Sequence, residues 1–175
     1  MERKKLKTKF RNLIIITFLA FNIGCDQITK NIARNNVDTG EHITVIPDFL
    51  TLTKIENSGA FLSLGDSLPF LIKTILLTIL PILILTGMLA FILTKSKLEL
   101  EKAIPLAFII GGGIGNLYDR IAFGSVTDFL HMNFHVFQTG IFNIADVSIM
   151  SGTFWLLIST IKKKSPDIRI KDEPL

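Results

Sequence analysis

The sequence predicts a mainly α-helical membrane protein with four transmembrane helices, a small extracytoplasmic β-sheet and an interfacial segment, and three observations carry that prediction. Hydrophobic residues make up 49% of the 175 positions, and they gather in runs long enough for a bilayer, which needs about 20 mostly apolar residues per helix. The basic residues sit at the ends of those runs, as topology signals do. Between two of the runs lies a stretch that alternates apolar and polar residues, the period of a half-buried strand.

The first span covers residues 13–33, behind a basic tail of Arg3, Lys4, Lys5, Lys7, Lys9 and Arg11. The outer loop at 37–68 alternates in His42-Ile43-Thr44-Val45-Ile46 and again in Phe49-Leu50-Thr51-Leu52-Thr53-Lys54-Ile55, with Pro47-Asp48 as the turn between two strands. The second span covers 69–94. Pro81 lies within it and is expected to kink it, because proline removes a backbone donor and clashes with the preceding turn. Lys73, a turn inside the same span, is expected to snorkel to the outer interface. The third span, 103–119, is short and rich in glycine at Gly111, Gly112, Gly113 and Gly115, which suits close contact with neighbouring helices. No Lys-Ser/Thr pair follows those glycines, so a phosphate loop is not implied. The segment 121–140 mixes Phe129, Leu130, Phe134 and Phe137 with His131 and His135, as an interfacial helix or strand does. The fourth span covers 141–161, then Lys162-Lys163-Lys164, and 165–175 reads as a disordered tail. Together these form a single membrane domain.

An even number of spans puts both termini on one side, and the basic tails with Lys95, Lys97 and Lys102 mark that side as cytoplasmic. The opposite loops agree: 37–68 carries Lys54 against Asp38, Glu41, Asp48, Glu56 and Asp66, and 121–140 has no Lys or Arg. The net charge of +4 therefore belongs to topology, and a nucleic-acid partner is not expected. Cys25 is the only cysteine; it cannot form an intrachain disulfide, and it reads as a small buried core residue. No Cys/His spacing suits a structural metal, and neither a metal nor an organic cofactor is expected.

Depth separates the polar residues. Asp26 and Lys30 lie near the far end of the first span, about 20 Å from its start at 1.5 Å per residue. Asn116, Asp119 and Arg120 end the third span on one helical face, and Asn143 and Asp146 open the fourth. All therefore fall in the outer leaflet, and such a convergence of ionisable groups in a membrane points to function. Asp26 with Lys30, and Asp119 with Arg120, read as ion pairs that join helices. Asp128 has no Lys or Arg within seven positions and Asp146 none within fifteen, so local pairing accounts for neither. Two carboxylates brought together at a partly dry interface share one proton and titrate as a coupled pair, the aspartic-protease arrangement. One then activates water and the other protonates the scissile carbonyl. Ser63, Ser125 and Ser148 have no neighbouring His or Lys base, so a nucleophilic serine has little support.

Five blocks carry a resemblance to a known family over nearly the whole chain: Asp26-Gln27-Ile28-Thr29-Lys30, Asn57-Ser58-Gly59-Ala60-Phe61, Gly112 to Arg120, Val126-Thr127-Asp128-Phe129, and Phe142-Asn143-Ile144-Ala145-Asp146. In that order, on a four-span profile, the chain resembles the lipoprotein signal peptidases, or signal peptidase II. The resemblance implies an aspartic endopeptidase of the bacterial inner membrane, multi-pass, with its active site near the outer, periplasmic face. It implies cleavage of diacylglyceryl-modified prolipoproteins on the N-terminal side of the lipidated Cys, within membrane lipid, and inhibition by the cyclic peptide globomycin. The family's catalytic dyad maps to Asp128 and Asp146. Its supporting or substrate-binding residues map to Asp26, Lys30, Asn57, Gly59, Asn116, Asp119, Arg120, Asn143 and Ala145. The chain departs from the family at Leu62, where many relatives carry a small residue, and at Thr127, where valine is common.

Three other readings compete. A lipoprotein precursor would explain the basic start, the apolar run and Ile23-Gly24-Cys25, but Asn22 stands where an aliphatic is preferred and cleavage there would detach Asp26. An ion-coupled transporter needs polar groups through the membrane's depth, whereas the second span offers only threonines between 75 and 94. A nonenzymatic membrane scaffold predicts that Asn at 128 or 146 is silent.

Overall fold

A computed structural model describes residues 2–60 and 63–164. The expected disordered tail at 165–175 and the Phe61-Leu62 part of the outer-loop motif lie outside the described residues, as do the side chains of the basic clusters at 3–5 and 162–164. Helix α1 runs Glu2–Asn36, α2 Phe70–Thr94, α3 Leu100–Phe123 and α4 Ile144–Lys164. All four contain segments long and apolar enough to cross a membrane: Lys7–Asn36, Phe70–Thr94, Leu100–Phe123 and Ile144–Ile161.

The helices differ from the expected spans for local reasons. α3 extends beyond 103–119 at both ends, since Glu99 enters it in an extended conformation and Gly124 closes it in the left-handed region (φ 80°), returning its N–H to the Arg120 carbonyl. α4 starts at Ile144 rather than 141 because Phe142 pairs with Leu130 by reciprocal backbone bonds of 2.8 and 2.9 Å. Within α2 the backbone forms a π-helical turn at Ile75–Ile79, directly ahead of Pro81. A widened turn there relieves the crowding that the proline ring imposes on the preceding turn, so the expected disturbance takes the form of a π-bulge.

The strands β1 (Ile43–Ile46), β2 (Leu50–Asn57) and β3 (Val126–Met132) form one antiparallel sheet in that order. Asp48 adopts φ 58° in the turn between β1 and β2, a conformation aspartate tolerates better than most residues. The third strand comes from the segment 121–140, so the sheet joins the two outer loops. Its register sets Ile55 opposite Asp128 and Asn57 opposite Val126, which brings Asn57 and Asp128 side by side.

Helix α3 is the centre of the bundle and packs against α1, α2 and α4. Its small residues make this possible. A Cβ at Gly111 would meet Asn22 of α1 at 2.9 Å, one at Gly113 would meet Leu85 of α2 at 2.7 Å, and one at Gly112 would run into the Ala145 carbonyl oxygen and reach Ile149 of α4 at 2.9 Å. Each glycine thus admits a different helix. The apolar core near the opposite end of the bundle joins Ile15 and Leu19 of α1, Ile92 of α2, and Ala103, Ala107 and Ile110 of α3. Arg11, expected to be a topology charge, is only 7% exposed and binds the Ile92 and Leu98 carbonyls at 2.8 and 2.9 Å, tying α1 to the end of α2. Cys25 is partly exposed on the unbroken helix α1, which corrects its reading as a buried core residue.

Gly112→Ala is expected to destabilise the protein by about 1–3 kcal/mol, because backbone at Ala145 cannot yield as a flexible side chain can. Gly87→Ala is the control: its Cβ meets nothing within 4 Å, and a gain of a few tenths of a kcal/mol or more is expected from helix propensity. Thermal unfolding in detergent measures both, and equal midpoints for the two variants would contradict the close-packing account.

Candidate functional site

Asn143 and Asp146 form a reciprocal cap at the start of α4. The Asp146 N–H donates to Asn143 Oδ1 at 3.0 Å, and the Asn143 N–H donates to Asp146 Oδ2 at 3.1 Å. This arrangement satisfies two helix-end donors and fixes the Asp146 rotamer. Its other oxygen accepts from Asn116 Nδ2 on α3 at 2.9 Å.

Asp128 comes from β3 and is held by two amides. Asn57 Nδ2, at the end of β2, donates to its Oδ2 at 2.9 Å, and Asn143 Nδ2 donates to its Oδ1 at 2.6 Å. Asn57 Oδ1 in turn accepts the Gly59 N–H at 3.0 Å. Asn143 therefore touches both carboxylates. Neither carboxylate has a cation within ion-pair distance among the described residues. Asp128 is 4% exposed, and this burial pushes its carboxyl up from 3.8 to about 6; the Asp146 charge adds to the rise, and the Asn57 and Asn143 bonds oppose it.

Beneath the two aspartates lies a buried ionic cluster. Lys30 Nζ donates to Asp26 Oδ2 and to Asn116 Oδ1, each at 2.8 Å, and forms an ion pair with Asp119 Oδ2 at 3.1 Å. Asn116 Oδ1 also accepts from Asn143 Nδ2 at 3.1 Å. The Ala145 N–H donates to Asp26 Oδ1 at 2.9 Å, so a carboxylate on α1 meets the first turn of α4. The expected Asp26 and Lys30 pair is present and does more than join helices.

The expected pair between Asp119 and Arg120 does not form. Consecutive helical residues point about 100° apart, and Asp119 turns to Lys30 and to Arg34, whose Nη2 lies 2.8 Å from Asp119 Oδ1. Arg120 instead donates from Nη2 to the Gly59 carbonyl at 2.7 Å and from Nη1 to the Asn116 carbonyl at 3.5 Å. Its buried Nε has no protein partner among the described residues. Arg34 and Gln27 join the cluster although they lie outside the site residues that the sequence predicts. Gln27 Nε2 donates to Asp26, Asp119 and the Gly115 carbonyl at 3.0–3.1 Å. The signal for Arg34 was spacing, since Asp26, Lys30 and Arg34 follow one another every four residues on one helical face.

Asn57, Asn116, Arg120, Asp128 and Asp146 line one cavity of about 370 Å³, with an apolar rim that includes Ile141 and Met150. A second, apolar cavity of about 600 Å³ shares Ile141, Asp146 and Met150 with the first and continues along α4 past Val147 to Phe154. None of Ser63, Ser125 and Ser148 lines the first cavity; Ser125 binds Glu56 and Ser148 binds Asn22. No group of His, Cys, Asp and Glu among the described residues suits a metal ion. Lys73 does not extend freely toward solvent: it contacts Ser58 Oγ at 3.0 Å and Asp66 at 3.2 Å.

The family model described as signal peptidase (SPase) II matches residues 16–162. A lipoprotein signal peptidase of Syntrophus aciditrophicus is 36% identical over 140 residues, covering 79% of this chain and 86% of the relative. One from Clostridium novyi is 32% identical over 149 residues, covering 85% and 97%. Two bacterial membrane enzyme structures determined by the in meso method, at 2.3 and 1.9 Å, superpose with TM-scores of 0.77 and 0.76 at 29% and 28% identity. The first covers 93% of this chain and 94% of its own, the second 86% and 94%.

Proposed function

The chain belongs to the signal peptidase II family, and from that premise we propose that it removes signal peptides from diacylglyceryl-modified prolipoproteins with Asp128 and Asp146 as its catalytic dyad. It is a protease and a multi-pass protein of the bacterial inner membrane. The observation that carries the dyad is that two carboxylates with no ion-pair partner among the described residues line one cavity and share Asn143.

Asp146, half-buried and open to both cavities, acts as the carboxylate base. It takes a proton from water as the oxygen attacks the scissile carbonyl. Asp128, buried and with its carboxyl raised to about 6, gives its proton to the carbonyl oxygen. The gem-diol then collapses: the C–N bond breaks, Asp146 returns its proton to the leaving amine of the lipidated Cys, and Asp128 recovers one from the diol hydroxyl. Asn57, Asn116 and Asn143 hold the two carboxylates, and Asp26, Lys30, Asp119 and Ala145 hold the asparagines and the α4 terminus. Gly59 and Arg120 shape the cavity rim through their mutual bond. The apolar cavity beside Asp146 has the size and lining for acyl chains, which would place the lipid along α4 and the peptide across the dyad. The cytoplasmic side of both termini rests on the basic flanks and the even number of spans. Globomycin is an expected inhibitor.

Cleavage of a lipidated precursor against the same precursor with Cys→Ser tests the substrate. The pH profile tests the acid. A proton held by Asp128 is lost as pH rises through its value, so kcat/KM is expected to fall on the alkaline side with an apparent value near 6. A profile flat from pH 5 to 8 would remove Asp128 as the acid.

A further inference from the structure

Arg34 lies outside the residues that the family resemblance assigns, yet it closes a series of buried charges. Asp26, Lys30, Asp119 and Arg34 alternate in sign, with successive contacts of 2.8, 3.1 and 2.8 Å. The first three side chains are 0% exposed and Arg34 is 18% exposed. Two anions and two cations balance. Without Arg34, two buried carboxylates would share one ammonium, and the nearest compensation would be for Lys30 to shift toward Asp119 and away from Asn116, whose amide holds Asp146.

The same guanidinium braces the strand that carries Asp128. Arg34 Nε donates to Thr127 Oγ1 at 2.8 Å, and Thr127 Oγ1 donates to Glu56 Oε1 of β2 at 2.8 Å. The Thr127 N–H faces Asp119 Oδ2 at 3.3 Å. Thr127 is fully buried, and alternation along a strand turns its side chain away from that of Asp128. The guanidinium also lies 4.2 Å over the Phe123 ring at the end of α3. Lys54 Nζ binds the Arg34 carbonyl at 3.2 Å.

Resting on the dyad reading above, we infer that Arg34 is a positioning residue for cleavage: it balances the Asp26–Lys30–Asp119 cluster, so that Lys30 stays on Asn116, and with Thr127 it braces β3 behind Asp128. It touches no reacting atom and lines neither cavity, so its loss acts on turnover and leaves substrate binding alone.

The test uses the full chain in detergent with a lipidated precursor. Arg34→Gln removes the charge; Arg34→Lys keeps the charge and loses the Nε bond; Thr127→Val loses the same bond from the other side. For folded Arg34→Gln, kcat is expected to fall roughly tenfold or more, within the hundredfold that a 1 Å misplacement can cause, with KM within about twofold. Arg34→Lys and Thr127→Val should each lower kcat about two- to fivefold, the scale of one hydrogen bond, and the double variant should be no worse than either single. Wild-type kcat in folded Arg34→Gln, an effect confined to KM, or an Arg34→Lys as slow as Arg34→Gln would overturn the inference. If Arg34→Gln does not fold, the Lys and Val pair decides: a shared loss of kcat supports the brace, and no loss or additive losses overturn it. Asp128→Asn is assayed alongside. Its cleavage at the wild-type rate would sink the dyad reading alone, whereas an inactive Asp128→Asn beside a fully active Arg34→Gln would sink only the Arg34 inference.

Discussion

Asp128→Asn and Asp146→Asn are each expected to lower the rate of precursor cleavage by at least the 10²–10⁴-fold that positioned acid–base groups contribute, roughly, to a hydrolysis, while the protein remains folded and inserted. At 128 the amide keeps its oxygen for either Asn57 or Asn143 and loses the bond from the other, at a cost of about 1–3 kcal/mol. At 146 the new side chain can still accept the Asn143 N–H, so the reciprocal cap survives, while its amide nitrogen forfeits the bond from Asn116 at a cost of about 1–3 kcal/mol. Proton transfer is what both variants lose. A transporter would show altered ion flux with no precursor accumulating, and a scaffold would show neither effect. The readouts are gel mobility of the lipidated precursor and the thermal midpoint in detergent. Processing by either variant at the wild-type rate would end the dyad assignment.

Much of this arrangement is legible along the chain because membranes impose one-dimensional constraints. Length and hydropathy mark four helices, and basic flanks mark their ends. Elsewhere the deciding partner lies far away in sequence. The alternation in 43–55 signals strands, but β3 pairs with β2 across some 70 residues, and a segment mixing Phe with His is compatible with helix or strand until its partner is known. Asp119 beside Arg120 looks like a pair, yet adjacent helical side chains diverge, and its partners are Lys30 and Arg34 on another helix. Absence of a neighbour was the better guide. Asp128 and Asp146 stand apart from Lys and Arg in sequence, and among the described residues neither forms an ion pair with one. Thr127 stands where the family commonly has valine, and its hydroxyl finds Arg34 of α1, a partner 93 residues away in sequence.

Lys30→Met is expected to have the largest effect on stability. Its ammonium is completely buried and serves Asp26, Asp119 and Asn116 at once. Removing one partner from a buried ionic group costs about 3–5 kcal/mol because a desolvated charge is left uncompensated. Here that charge is a carboxylate facing another carboxylate, and Arg34 reaches only Asp119. Turnover should be lost as well, since Asn116 then has no donor from Lys30 to orient it toward Asp146. The two effects can be separated. Adding Asp119→Asn to Lys30→Met leaves Asp26 and Arg34, one anion and one cation, so part of the lost stability should return. Asn116 is still not held, so cleavage should remain lost. Unfolding in detergent and precursor cleavage measure the two quantities independently. A double variant no more stable than Lys30→Met would show that the cluster is not governed by charge balance, and a Lys30→Met enzyme with normal turnover would show that Asp146 does not depend on it.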